Sequence, residues 1–207
     1  IRLTNNSWGG GGFSQTLHDA IAESAANDML FIAASGNEGA DLDEFPSFPA
    51  SYELDNIISV AATDRNDLLA DFSNIGATSV DVAAPGVDIW SSVPGGYLEA
   101  DGTSMATPHV SGIVALVWDE NPNSSYQEVR DAILDTVEPL DSLNGKVATG
   151  GRVNAMATLL EFGLLVVSST PERGAVLGTR PTGFTIGVSD PYDPLTVDAS
   201  DLTVNGI

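Results

Sequence analysis

The feature that most constrains the fold is a helix pattern over residues 105–118 that is apolar on nearly every face. The pattern consists of large apolar residues separated mainly by small ones: Val110, Ile113, Val114, Leu116 and Val117 with Ala106, Ser111, Gly112 and Ala115. Pro108 fits the first turn, where a helix loses no hydrogen bond to a missing N–H. Because such a helix has no polar face and its small residues allow close backbone approach, we expect it in a core.

Elsewhere in the first 162 residues, apolar β-rich runs alternate with helical patterns. Buried strands are predicted over 29–34, 57–62 and 80–84, and a short edge strand over 88–93. Strands that alternate with helices are typical of a parallel sheet with helices on its faces. The sequence therefore predicts an α/β fold.

Two helices carry local signals of their own. Leu17, Ile21 and Ala25 form an apolar stripe at fourfold spacing, which predicts the first helix after a run of four glycines. Ser125 followed by Glu128 is the pattern of a capping box, in which each residue satisfies a free backbone N–H of the other. We expect a further helix to begin there.

The character of the chain changes after a last helix predicted over 154–162. Strand patterns over 165–167, 184–188 and 202–204 are separated by glycine and proline. This spacing is typical of a β-sandwich, although three strands do not complete one. We expect residues 163–207 to form a truncated β-sandwich segment.

Composition excludes several classes of function. The chain has 29 acidic and 7 basic residues and a net charge of −22, which repels nucleic acid and anionic membranes. No apolar run approaches the roughly 20 residues that a membrane span requires. The chain has no cysteine, and therefore no disulfide or thiol chemistry. The dense acidic loop at Asp41, Asp43 and Glu44 suits either a solvated surface or calcium.

Ser104 stands at a glycine-flanked turn immediately before the apolar helix. A serine hydroxyl is a poor nucleophile unless a base accepts its proton and donors hold the oxyanion that forms. The free N–H groups of the first helical turn point at any anion beside the turn and supply part of that requirement. An isolated serine at this place is also a common helix cap, so the turn alone leaves both interpretations open.

The residues around Ser104 resemble a known motif. Residues 102–112, Gly-Thr-Ser-Met-Ala-Thr-Pro-His-Val-Ser-Gly, are similar without a gap to the nucleophile motif of the subtilisin-like serine proteases. Residues 33–39 resemble the block that carries the oxyanion-hole asparagine of this family, and residues 5–10 the strand that lines the specificity pocket. The resemblance implies a three-layer fold with a parallel sheet, and it identifies residues 1–162 as the C-terminal part of a peptidase domain.

The same resemblance implies a role for each matched residue. Ser104 is expected to attack the scissile carbonyl, while its own N–H and the side-chain amide of Asn37 hold the oxyanion. The expected contacts with an extended peptide substrate come from two walls of a pocket: Ser7, Trp8 and Gly9 on one side, and Ala34, Ser35 and Gly36 on the other. Small residues on both walls suit apolar substrate side chains.

Neither histidine of the chain has the context of a general base. The family has its aspartate and histidine upstream of the serine, so we expect this chain to be part of a longer protease and inactive alone. His18 is expected on the solvated side of the first helix. His109 lies on the same helix as Ser104, more than one turn away, where we expect a structural role.

Two other functions remain as alternatives. A non-catalytic relative would bind peptides without cleaving them, although it would have little need for a nucleophile and an oxyanion donor together. An α/β-hydrolase esterase would need Gly-x-Ser-x-Gly and a histidine downstream of the serine. Position 106 is alanine and the only later histidine is His109, which argues against the esterase.

The resemblance also implies several properties of the whole protein. We expect protein or peptide substrates, secretion from the cell, a monomer, and an immunoglobulin-like accessory module over 163–207. No cofactor is expected with certainty. Calcium is possible as a structural ion because Ala50 and Asp81 match segments that hold it in relatives, but carbonyl ligands leave almost no sequence signature. No metal ligand is assigned.

Overall fold

The computed structural model describes residues 1–162, 166–170 and 185–188. The chain divides into two compact units, Ile1–Thr158 and Leu159–Ile207. Its strands are β1 (Leu3–Asn6), β2 (Leu30–Ala34), β3 (Ile57–Thr63), β4 (Val82–Pro85), β5 (Ile89–Val93), β6 (Gly96–Ala100), β7 (Glu138–Pro139), β8 (Gly151–Arg152), β9 (Val166–Thr170) and β10 (Thr185–Val188). Its helices are α1 (Gln15–Ala25), α2 (Thr103–Glu120), α3 (Tyr126–Asp135) and α4 (Ala155–Phe162), with a 3₁₀ turn over Asp141–Leu143.

A six-stranded sheet forms the centre of the first unit, in the order β1-β2-β3-β4-β8-β7. All neighbouring pairs are parallel except β7 with β8, which is antiparallel at one edge. Every residue of β2 and β3 is buried, as expected for parallel strands covered on both faces. The predicted α/β class with a mostly parallel sheet is confirmed.

The helices begin where the sequence signals them. The Ser14 side chain accepts a hydrogen bond from the Leu17 N–H and caps α1, which buries Ile21 against the sheet. At α3, Ser125 and Glu128 form the predicted capping box. The backbone and side-chain hydroxyl of Ser125 hold the pKa of the Glu128 carboxyl below its usual range.

The long helix α2 packs against the sheet on one side only. Val110, Val114 and Val117 are fully buried, whereas Leu116 is 51% exposed. Four more residues of α2 are exposed on this side: Pro108, His109, Gly112 and Ala115. The expectation of burial on nearly every face is therefore wrong for the described residues, since the sheet buries one side of α2 and these residues on the other side stay exposed.

The strand predicted over 88–93 forms, but its pairing differs from the prediction. Instead of joining an edge of the main sheet, β5 pairs with β6 as a separate antiparallel hairpin. Pro94 and Gly95 make the two-residue turn, and Gly95 has a φ of 92°, which favours glycine. The Pro-Gly pair is a turn signal, so the edge-strand prediction is corrected to a hairpin.

In the second unit, β9 pairs antiparallel with β10, with an irregularity in register between Gly187 and Val188. Two of the three predicted strands are thereby observed. The third, over 202–204, lies outside the described residues. The β-sandwich interpretation of this segment stays a prediction.

No helix within the described ranges combines the length and the apolar character needed to cross a membrane.

Candidate active site

A small cleft opens beyond the carboxyl end of β2, beside the first turn of α2. Open parallel sheets place their binding sites at the carboxyl ends of strands. The cleft has a volume of about 100 Å³. Its walls come from the loop after β1, the loop after β2 and the start of α2: Trp8, Gly9, Gly10, Ala34, Gly36, Asn37, Glu38, Thr103 and Ser104.

Ser104 lies in the first turn of α2, two residues after the Gly102 cap. Its hydroxyl donates to the Ser7 carbonyl at 3.2 Å, and the Ser7 hydroxyl donates in return to the Ser104 carbonyl at 2.8 Å. These two bonds join the end of β1 to the start of α2. The Ser104 N–H is among the helix-start donors that have no intrahelical acceptor.

The Asn37 side chain is held by its amide oxygen, and its amide nitrogen is not bonded by any residue that the structure describes. Its Oδ1 accepts from the Thr103 N–H at 2.8 Å and from the Thr103 hydroxyl at 3.0 Å. Since the oxygen is bound on the Thr103 side, the geometry fixes which way the amide points. Within the described residues, Asn37 Nδ2 has no hydrogen-bond acceptor.

The two free donors flank one point in space. Gly102 has a φ of 150°, and a Cβ at this residue would lie 3.5 Å from Asn37 Nδ2 and 3.6 Å from the Ser104 backbone nitrogen. A side chain there would fill the space between them. The structure thus brings together two residues, Asn37 and Ser104, that the sequence separates by 67 positions.

The predicted substrate residues divide into cleft and interior. Trp8, Gly9, Ala34 and Gly36 line the cleft, and Trp8 is 50% exposed with its ring edge-on to Phe31 at 6.4 Å. Ser7 contacts Ser104 as described above. Ser35 is different, because its side chain is buried and its hydroxyl donates to the Asn74 carbonyl at 3.2 Å.

Sequence reasoning missed three residues at this site. Glu38 lines the cleft, Thr103 binds Asn37, and Asn74 binds the loop that carries Asn37. Glu38 and Thr103 are each next in sequence to a predicted site residue, so their positions could have indicated a role in the site. Asn74 lies outside the blocks that carry the predicted site residues, so no sequence signal indicated its contact.

Neither histidine is bonded to Ser104. His109 Nδ1 bonds the Met105 carbonyl at 2.9 Å, in keeping with the structural role expected for it. The His18 side chain is only 29% exposed and packs against Phe13 and Tyr52 at 5.9 and 5.5 Å between ring centroids. The prediction of a solvated His18 is therefore corrected to a half-buried residue of an aromatic cluster.

A second polar cluster lies in a side pocket of about 500 Å³. Burial raises the pKa of Asp81, and the Ser59 N–H and the Arg130 guanidinium offset this only in part. The Asp81 carboxylate accepts from Ser59 at 2.7 Å and faces Arg130 at 3.3 Å. Because a guanidinium already balances the carboxylate, the Asp81 side chain fits an ion pair and does not fit a calcium ligand.

Over the described ranges, no three His, Cys, Asp or Glu side chains group so as to hold a metal ion.

Comparison with known proteins identifies the family to which this chain is related. The model of the subtilase family matches residues 1–162. Alkaline elastase YaB from Bacillus sp. (strain YaB) is 42% identical over 158 residues, which cover 76% of this chain and 40% of the relative. Subtilisin Savinase from Lederbergia lenta is 41% identical over 158 residues, with 76% and 56% covered.

A solved structure shows the fold. The prenylagaramide maturation protease PagA superposes with a TM-score of 0.66 and 30% identity, covering 76% of this chain and 61% of that one. This chain spans 40% to 56% of the length of the two curated relatives named above. The family match, the identities and the shared fold show that the chain belongs to the subtilase family of serine proteases.

Proposed function

We propose that this chain is the C-terminal part of a serine endopeptidase that cleaves peptide bonds through an acyl-enzyme on Ser104. One observation carries the proposal: Asn37 Nδ2 and the Ser104 backbone nitrogen lie 3.5 and 3.6 Å from the same position at Gly102, in a cleft that Asn37 and Ser104 both line. A donor pair in this arrangement suits the oxyanion of a tetrahedral intermediate, where negative charge develops only during the reaction.

In the first step, Ser104 Oγ attacks the carbonyl carbon of the substrate while its proton passes to a general base. The carbonyl oxygen becomes an oxyanion held by the two donors. The base then gives the proton to the leaving amine as the peptide bond breaks. Water attacks the acyl-enzyme in the same way and releases the second product, which restores Ser104.

The described residues do not supply that base. The Ser104 hydroxyl donates to the Ser7 carbonyl, which can accept this hydrogen bond but cannot remove the proton. We propose that an aspartate and a histidine preceding these residues in a longer protein complete the site. The chain by itself is then expected to have no peptidase activity.

The cleft suggests how a substrate lies. Trp8, Gly9 and Gly10 present backbone on one wall, to which an extended peptide can add as a strand. Glu38 on the loop after β2 gives this pocket one carboxylate beside its neutral polar residues. We propose protein substrates, action outside the cell as a monomer, and an immunoglobulin-like accessory module over 163–207.

The proposal is tested in the full-length protease, meaning this chain with the segment proposed to precede it. Ser104→Ala is expected to abolish peptide cleavage and labelling by a fluorophosphonate probe. Ser111→Ala is the matched control, because Ser111 lies on the same helix and its hydroxyl bonds Asn5 at 2.9 Å. It is expected to keep both activities.

Three results would contradict parts of the proposal. Peptide cleavage that survives Ser104→Ala would remove Ser104 from the chemistry. A full-length protein that binds peptides but neither cleaves them nor reacts with the probe would favour the non-catalytic peptide-binding relative. Rapid labelling of Ser104 in the isolated chain would show that no preceding base is needed.

A further inference from the structure

A buried asparagine on another part of the chain clamps the loop that carries Asn37. Asn74 lies between β3 and β4 and is 1% exposed. It has no place in the reaction described above and does not line the cleft. All the hydrogen-bonding groups of its side chain are directed at residues 35–40, the loop after β2.

The Asn74 side chain makes all of its hydrogen bonds with that loop. Its Oδ1 accepts from the backbone N–H of Glu38 at 3.0 Å and of Ala40 at 2.9 Å. Its Nδ2 donates to the Ser35 carbonyl at 2.9 Å and to the Glu38 carboxylate at 2.8 Å. An amide has two donor hydrogens and two acceptor lone pairs, so every one of them has a partner here.

The backbone of Asn74 adds to the clamp. Its N–H donates to the Gly36 carbonyl at 3.0 Å, and its carbonyl accepts from the Ser35 hydroxyl at 3.2 Å. The packing is tight, since a Cβ on Gly36 would lie 2.3 Å from Asn74 Nδ2. Gly36 also has a φ of 111°, which favours glycine. The loop therefore has little freedom to shift relative to Asn74.

Asn37 lies in the middle of this clamped loop. Asn74 binds the residues on both sides of it, Gly36 and Glu38, while Thr103 binds its side-chain oxygen. Thr103 orients the Asn37 amide and also accepts from the Gly36 N–H at 3.1 Å. Asn74 makes no hydrogen bond with the Asn37 amide and binds the loop backbone on both sides of it.

We propose that Asn74 is a positioning residue for the oxyanion hole, acting through Asn37. The inference rests on the proposed function, because it needs Asn37 to hold the oxyanion. A donor must lie within hydrogen-bond distance of the place where the oxyanion forms, and displacements of about 1 Å cost up to a hundredfold in rate. Loss of the clamp is therefore felt in the transition state more than in substrate binding.

The experiment is a double-mutant cycle in the full-length protease, with kcat and KM measured on a peptide substrate. Asn74→Ala removes the clamp and Asn37→Leu removes the donor. We expect Asn74→Ala alone to lower kcat about tenfold with less than a twofold change in KM. In the Asn37→Leu background, we expect Asn74→Ala to lower kcat by less than about twofold, since the donor that it positions is gone.

Asn56→Ala is the matched control for Asn74→Ala. Asn56 is also a fully buried asparagine, but its Nδ2 donates to the Ile21 and Met29 carbonyls near α1, away from the cleft. We expect this variant to lower the melting temperature and leave kcat unchanged. A fall in kcat that followed the loss of stability alone would appear in both variants and would overturn the inference.

A second variant keeps the test decisive if Asn74→Ala does not fold. Asn74→Asp has the same shape and keeps both acceptor bonds, but it loses both donors and places a carboxylate against Glu38. The same cycle applies to it. Equal losses of kcat in both backgrounds, or no loss when Asn37 is present, overturn the role of Asn74 only. An Asn37→Leu variant with unchanged kcat contradicts the proposed function itself.

Discussion

The cleft and the side pocket differ in how their polar groups are paired. In the cleft, Asn37, Thr103 and Ser104 are all neutral, and within the described residues Asn37 Nδ2 has no hydrogen-bond acceptor. In the side pocket, Asp81 and Arg130 carry charge, and each already faces the other. Open donors can stabilise a charge that forms during a reaction, whereas the charges of a closed ion pair already balance each other, and breaking the pair affects the stability of the fold. Variants in the first region should therefore change kcat, and variants in the second should change stability.

Replacing the cleft donor is the largest expected effect. Asn37→Leu in the full-length protease is predicted to lower kcat by about a hundredfold to a thousandfold, with little change in KM. The magnitude is that known for the loss of one such donor in a subtilisin. Steady-state kinetics on a peptide substrate check it. A large rise in KM at unchanged kcat would show that Asn37 binds the ground state instead.

Breaking the side-pocket pair is predicted to act on stability. Arg130→Met leaves the Asp81 carboxylate buried without its partner. Since the Arg130 side chain is 26% exposed, we expect a loss of about 2 kcal/mol, below the range for fully buried pairs. Denaturant unfolding measures the loss, and kcat per folded molecule is expected to stay unchanged. The double variant Arg130→Met/Asp81→Asn should regain most of the lost free energy of unfolding. A fall in kcat for Arg130→Met would contradict the difference between the two regions.

A smaller effect in the cleft is predicted for Thr103→Val, which keeps the shape of the side chain and removes its hydroxyl. Asn37 then loses one of its two bonds but keeps the one from the Thr103 N–H, and the Gly36 N–H loses the hydroxyl as its acceptor. We expect kcat to fall about fivefold, the value of one hydrogen bond. The test is steady-state kinetics at a temperature where variant and parent are both fully folded. An unchanged kcat would mean that the bond from the Thr103 N–H alone orients the Asn37 amide.

The pH dependence of stability should distinguish the regions further. Burial raises the pKa of Asp81 above that of the unfolded chain, so the folded state binds this proton more tightly. The stability from this group is full below the unfolded pKa of about 4 and is lost as pH rises through the folded pKa. Asp81→Asn is therefore predicted to remove a fall in stability above about pH 4. Parallel stability curves for variant and parent would contradict it.

Local sequence was enough to predict much of the fold and to identify two candidate site residues. Ser104 lies in an unbroken motif, and Asn37 in a short block at the end of a buried strand, so each was predicted from its neighbours alone. The capping box at Ser125 is equally local, since its partners are three residues apart.

The rest depends on contacts between distant parts of the chain. Asn74 binds a loop 34 to 39 residues earlier, and no pattern of spacing announces that contact. The exposed side of α2 also had no signal, because the sequence shows that a helix is apolar but does not show what covers it. His18 was placed on a solvated face by its helical position, yet aromatic residues outside α1 bury half of it.

The most direct test is a crystal structure of the full-length protease with a boronate or phosphonate inhibitor bonded to Ser104 Oγ. We predict an inhibitor oxygen within about 2.7–3.1 Å of both Asn37 Nδ2 and the Ser104 backbone nitrogen. An inhibitor oxygen that points to solvent, with Asn37 Nδ2 beyond hydrogen-bond distance, would contradict the claim that these two donors form one oxyanion hole.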